Sequence, residues 1–140
     1  RLAVKRTYDG GTFKFPLASY TRISSEYGYR IHPTLKVNMF HNGVDFAAAK
    51  GTAIYAAYDG VVVAADYSST MGNYVMIDHG DNLYTIYMHC SSLKVKKDAV
   101  VKRGDTIALV GSTGRSTGNH LHFSVRRNGE YVSPWDYISP

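Results

Sequence analysis

The histidines carry the clearest chemical signal in this sequence. Six are present, and two of them, His120 and His122, are separated by one residue at the start of a predicted strand. Because successive side chains of a strand point to opposite faces, both imidazoles are expected on one face, with Leu121 packed behind them. Two imidazoles on one face are typical of a metal site, although a solvent-exposed face gives the same pattern.

A second pair combines an imidazole with a carboxylate. His41 and Asp45 both project to one side of an extended segment, while Val44 and Phe46 face the core. A helix would also bring the pair together, but Gly43 and the loop-like composition around it argue against a helix. With one imidazole from the other pair, these residues form a three-ligand set that suits zinc. Three protein ligands leave a fourth position open for water, which is typical of a catalytic site.

A further histidine lies at the end of a predicted strand. His89 is on the same face as Tyr87, so it too is expected to reach a common pocket. The adjacent Cys90 suggests a Cys–His nucleophile, but neighbouring strand residues face opposite sides, so we expect Cys90 to be buried. The other two histidines, His32 and His79, lie in turn-like segments and are expected on the surface.

Short strands separated by turns must position these side chains. The stretch from Ser24 to Phe40 is expected to be a loop, and Pro134–Tyr137 a final turn. No helical period is sustained, so the predicted fold class is mainly β, a single antiparallel domain. The predicted strands are Ile54–Ala57, Val61–Ala65, Tyr74–Asp78, Leu83–His89, Thr106–Val110 and Leu121–Arg127, with hairpin turns at 79–82 and 128–129.

Length and composition exclude several other classes. With 140 residues the chain is one domain, and no apolar run approaches the roughly 20 residues that span a bilayer. The single cysteine excludes an internal disulfide and a multi-thiolate zinc site. The net charge of +5 favours anionic partners, but charge and aromatic residues alone support a nucleic-acid-binding domain only weakly. The glycine-rich stretch 111–118 lacks the Gly-Lys-Ser/Thr ending of a phosphate-binding loop.

The order of these motifs resembles the lysostaphin/LytM-type zinc endopeptidases, which cut the peptide cross-links of bacterial peptidoglycan. The resemblance extends from about residue 15 to residue 138. It rests on ISSEYGYR at 23–30, HNGVDF at 41–46, GTAIYA at 51–56, YMH at 87–89 and GSTGRSTGNHLH at 111–122.

The resemblance implies a role for each candidate residue. His41, Asp45 and His122 would be the zinc ligands, and His89 and His120 the two catalytic histidines that do not bind the metal. It also implies a twisted antiparallel sheet with the site in a groove walled by loops.

The same resemblance divides the chain and points to a function. A peptidase domain is expected over residues 23–140, after a lead-in segment at 1–22. The implied function is a zinc-dependent endopeptidase acting on peptidoglycan peptides, outside the cytoplasm, whether in the cell wall, in the periplasm or secreted. The targeting segment and a regulatory or covering segment are expected outside this chain. The alternative from another class is a non-catalytic wall-binding or regulatory module of the same fold, but such relatives typically lack metal ligands.

The bond that is cleaved depends on the walls of the groove. Relatives cut either glycine–glycine bridges or the D-alanine–diaminopimelate cross-link. Arg30 offers a cation for the diaminopimelate carboxylate, although pairing of Arg30 within its own loop is nearly as well supported. We therefore predict the D-alanine–diaminopimelate bond, with a glycyl-glycine bond as the alternative.

Asn119 stands where many relatives have proline. The predicted substrate contacts are Arg30, Asn38, Tyr87 and Asn119.

Overall fold

The computed structural model describes residues 13–25, 28–31, 38–41, 43–114 and 118–138, and the side chains of 13–23, 43–114 and 118–138. Within these ranges, strands account for nearly all regular structure, together with one short 3-10 helix at Pro134–Asp136. The strands are β1 (Arg22–Ser25), β2 (Gly28–Ile31), β3 (Asn38–His41), β4 (Val44–Ala47), β5 (Ala53–Tyr55), β6 (Gly60–Ser68), β7 (Gly72–Gly80), β8 (Leu83–Leu93), β9 (Val100–Val101), β10 (Thr106–Val110), β11 (His120–Arg127) and β12 (Glu130–Val132).

Ten of these strands form one antiparallel sheet. Its main path runs β1-β4-β11-β8-β7-β6-β9, while β10 pairs with both β5 and β8, and β12 pairs with β11. The remaining two, β2 and β3, pair with each other. The predicted antiparallel, mainly-β fold is therefore confirmed.

All six predicted strands are present, and β10 has the predicted bounds. Both predicted hairpins are present as well. Asp81 and Asn82 have φ values of 52° and 58°, and Asn128 and Gly129 have 54° and 81°. Two consecutive positive φ values are typical of the tight turns whose twist matches that of the flanking strands. The predicted final turn is the 3-10 helix at Pro134–Asp136.

The prediction of a loop from Ser24 to Phe40 is wrong, because β2 and β3 lie within it. They pair antiparallel, with Tyr29 opposite Phe40 and Arg30 opposite Met39. A separate two-stranded ribbon is held by backbone hydrogen bonds and needs no regular alternation of apolar and polar residues. Its sequence therefore lacks the signal by which the strands of the large sheet are recognised.

The hydrophobic core lies against the large sheet. Phe13 and Leu17, which fall within the predicted lead-in segment, are buried in it. The domain boundary at residue 22 stays a prediction. No helix in the described part of the chain is long and apolar enough to cross a membrane.

Candidate active site

Two neighbouring strands bring a carboxylate and two imidazoles together. In β4, Val44 and Phe46 are fully buried, so Asp45 between them projects to the other face. His122 on β11 lies directly opposite Asp45, and its Nδ1 is 2.7 Å from the Asp45 Oδ1. His120 Nε2 lies 3.8 Å from the same oxygen. The predicted same-face arrangement of the two histidines is confirmed.

His89 reaches this site through an irregularity in β8. Opposite β7, Asn73 pairs with Cys90 and Val75 with Tyr87, so β8 has one extra residue at this point. His89 lies within this bulge and has a φ of 67°, a left-handed conformation that few residues other than glycine adopt. A β-bulge re-aims a side chain near a functional site. The bulge separates His89, which turns to the site, from Tyr87, which stays in the core.

The rings of His89 and His120 are held in the same way. His89 Nδ1 lies 2.8 Å from the carbonyl oxygen of Thr113, and His120 Nδ1 lies 2.9 Å from that of Gly118. Because a carbonyl oxygen only accepts hydrogen bonds, each Nδ1 carries the proton, and Nε2 carries the lone pair of the neutral ring. The two ring centroids are 4.9 Å apart. The site thus contains two adjacent imidazoles that can each accept a proton at Nε2.

His122 is oriented the other way round. Its Nδ1 faces Asp45, and its Nε2 lies 3.0 Å from the hydroxyl of Ser124. Ser124 is fully buried, and its hydroxyl can either donate to Nε2 or accept from it. A Cβ on Gly43 would lie 2.6 Å from the Ser124 Oγ and 2.7 Å from the His122 Nε2. The absence of a side chain at 43 therefore lets the chain pass close over this pair.

The donor atoms of Asp45 and His122 fit a zinc ion. The carboxylate oxygen of Asp45 and the Nδ1 of His122 lie side by side, and both are atom types that bind zinc. The second ring nitrogen of His122 is hydrogen-bonded to an oxygen, as is usual for histidines that bind metals. The third predicted ligand, His41, is the last residue of β3 and shortly precedes β4, which carries Asp45. Its side chain is outside the described residues. Among the side chains that the structure does describe, no three His, Cys, Asp or Glu are grouped to hold a metal ion.

Burial changes the protonation behaviour of two residues at this site. Burial lowers the pKa of His89 below its ordinary value, and the neighbouring His120 and His122 lower it further, while the hydrogen bond to Thr113 opposes them. Cys90 is fully buried, as predicted, and burial raises the pKa of its thiol to about 12. Since the thiolate is the nucleophile, Cys90 is unsuited to that role at neutral pH.

Tyr87 belongs to the core rather than to the site. Its side chain is fully buried, and its hydroxyl accepts a hydrogen bond from the Ala57 N–H at 3.0 Å. The hydroxyl donates to Thr85 Oγ1 at 2.7 Å, and Thr85 donates to His79 Nε2 at 2.8 Å. His79 Nδ1 donates to the Asp59 carbonyl oxygen at 2.8 Å. The prediction that His79 lies on the surface is wrong, because His79 is buried among these hydrogen bonds. The substrate contact of Tyr87 stays a prediction, and the burial of its side chain argues against it.

Replacing Tyr87 with phenylalanine is expected to lower stability without changing substrate affinity. The change leaves the Ala57 N–H and Thr85 without their hydroxyl partner, which costs about 1–3 kcal/mol for buried groups. Urea unfolding together with steady-state kinetics measures both effects. Tyr67, which is 59% exposed, gives the matched control, Tyr67→Phe, with unchanged stability. A raised KM at unchanged stability would instead support the predicted contact of Tyr87 with substrate.

Of the other predicted substrate contacts, Asn119 has a described side chain. Asn119 is exposed and directly precedes β11. Arg30 lies in β2 and Asn38 in β3, on paired strands, but their side chains are outside the described residues, as is all of His32. Whether these residues touch substrate stays a prediction.

Two residues at the site were not predicted from the sequence. Ser124 follows His122 by two residues, so strand alternation places both on one face and could have revealed it. Thr113 contacts His89 across 24 residues of sequence, and no local pattern marks that contact.

Known proteins match this chain in both sequence and structure. The sequence profile of Peptidase family M23 matches residues 39–134. The DD-carboxypeptidase/endopeptidase Mpg of Neisseria meningitidis is 44% identical over 130 residues, covering 93% of this chain and 30% of its own length. The peptidoglycan DD-endopeptidase ShyA of Vibrio cholerae is 45% identical over 121 residues, covering 86% of this chain and 28% of its own length. The chain thus spans less than a third of these relatives.

Two solved structures show the same arrangement of strands. A zinc containing peptidase from Vibrio cholerae superposes with a TM-score of 0.85 at 38% identity, covering 93% of this chain and 41% of its own. The catalytic domain of lysostaphin from Staphylococcus simulans gives a TM-score of 0.73 at 33% identity, covering 84% of this chain and 91% of its own.

Proposed function

The chain belongs to peptidase family M23, and we propose that it is a zinc-dependent endopeptidase that hydrolyses peptide cross-links of bacterial peptidoglycan. The observation that carries this proposal is the convergence of one carboxylate and three imidazoles from three strands. The Asp45 Oδ1 lies 2.7 Å from the His122 Nδ1 and 3.8 Å from the His120 Nε2. The His89 ring, from β8, lies 4.9 Å from the His120 ring between centroids. The names of the two curated relatives and of the zinc containing peptidase support the reaction and the metal.

In this proposal His41, Asp45 and His122 hold the zinc ion. When bound, zinc acts as a Lewis acid that polarises the scissile carbonyl and lowers the pKa of coordinated water. Two of the ligand atoms would be the Asp45 Oδ1 and the His122 Nδ1, which lie 2.7 Å apart. If Nδ1 of His122 bound the metal, its Nε2–H would donate a hydrogen bond to the Ser124 hydroxyl, which lies 3.0 Å away.

The remaining imidazoles carry the protons. No glutamate is adjacent in the sequence to His41, Asp45 or His122. We therefore assign the acid–base work to His89 and His120. We assign proton acceptance to His89, because burial lowers its pKa and keeps its Nε2 free of a proton at neutral pH. His120, when protonated, donates from Nε2 to the oxyanion that develops on the substrate carbonyl.

The pH dependence follows from the direction of the His89 shift. Protonation of His89 removes the base, and its pKa lies below the ordinary 6.5. The fall of activity on the acid side is therefore expected to have its midpoint below pH 6.5. A profile of kcat/KM against pH at saturating zinc checks this expectation. An acid limb centred above pH 6.5 contradicts the assignment of His89.

Substituting Ser124 with alanine is expected to weaken zinc binding about 10- to 100-fold, since a partner of a metal-ligating histidine typically contributes that much to affinity. The loss arises because the Nε2 proton of His122 would be buried without an acceptor. Competition with a chromophoric chelator measures the affinity. Ser19→Ala, at an exposed position before β1, serves as the control with unchanged affinity. Unaltered zinc affinity in Ser124→Ala would remove Ser124 from the site.

For the cleaved bond, we propose the D-alanine–diaminopimelate cross-link. The chemical reason is Arg30, whose cation suits the side-chain carboxylate of diaminopimelate, a group that a glycine bridge lacks. The DD-endopeptidase names of the relatives support the same choice. The proposal places the protein outside the cytoplasm, where peptidoglycan lies.

Incubation with purified cross-linked dimer muropeptides and, separately, with pentaglycine tests this choice. The expected result is monomer release from the dimers and intact pentaglycine. Arg30→Gln is expected to raise KM for the dimers while zinc content stays at one per chain. Rapid pentaglycine cleavage with untouched dimers would overturn the choice of bond, and zinc binding without turnover of either substrate would favour a regulatory or wall-binding module.

A further inference from the structure

We propose that Thr113 is the positioning residue of His89, and that a glycine contact between two loops holds Thr113 in place. The proposal rests on the function assigned to His89 above and adds a residue to it. Thr113 lies in the loop after β10, and its backbone oxygen accepts the Nδ1 proton of His89 at 2.8 Å.

The side-chain hydroxyl of Thr113 makes two hydrogen bonds of its own, and these hold the residue, with its backbone carbonyl, in place. Its Oγ1 accepts a hydrogen bond from the Asn73 N–H at 3.1 Å and donates to the Cys90 carbonyl oxygen at 2.6 Å. Asn73 lies on β7 opposite the bulge, and Cys90 directly follows His89. One side chain therefore ties the loop to both strands on either side of the bulge. Only a hydroxyl can donate and accept in this way from a side chain of this size.

Two glycines close the contact between the loop and the turn before β7. Gly72 has a φ of 65° and Gly114 a φ of 74°. A Cβ on Gly72 would overlap the carbonyl and the hydroxyl of Thr113, and one on Gly114 would overlap the backbone of Gly72. In the same turn, the carbonyl oxygen of Met71 accepts a hydrogen bond from the backbone N–H of His89 at 2.8 Å. The turn and the loop thus hold His89 at its backbone and at its ring.

This support explains how His89 keeps its left-handed backbone. Such a conformation is unfavourable for a residue other than glycine and persists only where the surroundings determine it. With Nδ1 bonded to the carbonyl oxygen of Thr113, Nε2 is the ring nitrogen that is left for proton transfer. The metal ligands lie on other strands, so loosening of Thr113 is expected to affect proton transfer and not zinc binding.

The first test compares three threonine variants in the zinc-loaded protein. Thr113→Val keeps the shape but removes the hydroxyl, Thr113→Ser keeps the hydroxyl, and Thr106→Val makes the same change at an exposed position of β10. In Thr113→Val, kcat is expected to fall about 10- to 100-fold, since a misplacement of about 1 Å costs up to 10²-fold. KM should stay within about twofold and zinc at one per chain. Thr113→Ser and Thr106→Val should retain the wild-type kcat.

The second test does not depend on activity. In protein labelled with nitrogen-15 histidine and loaded with zinc, the wild type and Thr113→Ser should show a protonated His89 Nδ1 protected from exchange, assigned by its loss in His89→Asn. In Thr113→Val this protection should be lost. Gly72→Ala is expected to reproduce the loss with the hydroxyl present, and it decides the question if Thr113→Val does not fold.

The outcomes separate this proposal from the function on which it rests. Wild-type kcat and protection in Thr113→Val, or in Gly72→Ala where Thr113→Val is unfolded, would overturn the role of Thr113. Lost protection in a protein whose wild type hydrolyses no cross-link would uphold the positioning of His89 and overturn its catalytic function.

Discussion

Alanine at Asp45 or at His122 is expected to abolish zinc binding and to lower kcat/KM by about 10³-fold or more. Each variant removes one of the two donor atoms that meet at 2.7 Å. Lewis-acid stabilisation by a bound metal contributes several kcal/mol to the transition state, and each 1.36 kcal/mol is a factor of about ten in rate. Metal analysis after dialysis, followed by kinetics, measures both losses.

A matched carboxylate controls for the change of charge. Asp66 is exposed on β6, so Asp66→Ala should keep one zinc per chain and the wild-type rate. If Asp45→Ala or His122→Ala retains a full equivalent of zinc and full activity, the ligand assignment fails at that residue.

His89 and His120 are expected to behave differently from the ligands. Their alanine variants should keep one zinc per chain and lose about 10²–10⁴-fold in kcat, the usual contribution of general acid–base catalysis. The physical reason is that their Nδ1 atoms are bonded to the carbonyl oxygens of Thr113 and Gly118, so each ring contributes only its Nε2. The measurement is single-turnover hydrolysis of dimer muropeptides with zinc content determined on the same samples.

The backbone of His89 requires its own control. Because its φ is 67°, alanine adds strain, whereas asparagine tolerates this region. His89→Asn should therefore match His89→Ala in lost activity while unfolding at a higher urea concentration. Near wild-type turnover in either His89 variant would exclude that histidine from catalysis, and lost zinc would place it among the ligands.

The sequence predicted those parts of the molecule that follow from alternation along a strand. In β4 and β11, buried apolar residues such as Phe46 and Leu121 separate the polar ones, so the face of Asp45, His120 and His122 could be read directly. The two hairpins were marked by their Asn and Gly residues. The resemblance to the lysostaphin/LytM-type family is confirmed by the family match and by the lysostaphin structure.

Other parts depend on contacts between distant residues. Strict alternation puts His89 and Tyr87 on one face, but the bulge in β8 arises from its pairing with β7 and sends the two side chains to different surroundings. The hydrogen bond from Thr113 to that bulge joins residues 23 apart, Thr113 and Cys90. Neither feature has a local pattern, because the residues that determine it lie on another strand or loop.

The most direct test of the proposed function is hydrolysis of purified cross-linked dimer muropeptides before and after removal of the metal. The protein as purified should release monomers, lose this activity on dialysis against a chelator, and regain it when one equivalent of zinc per chain is restored. Undiminished hydrolysis by the fully metal-free protein, or no hydrolysis by the protein with one bound zinc per chain, would contradict a zinc-dependent peptidoglycan endopeptidase.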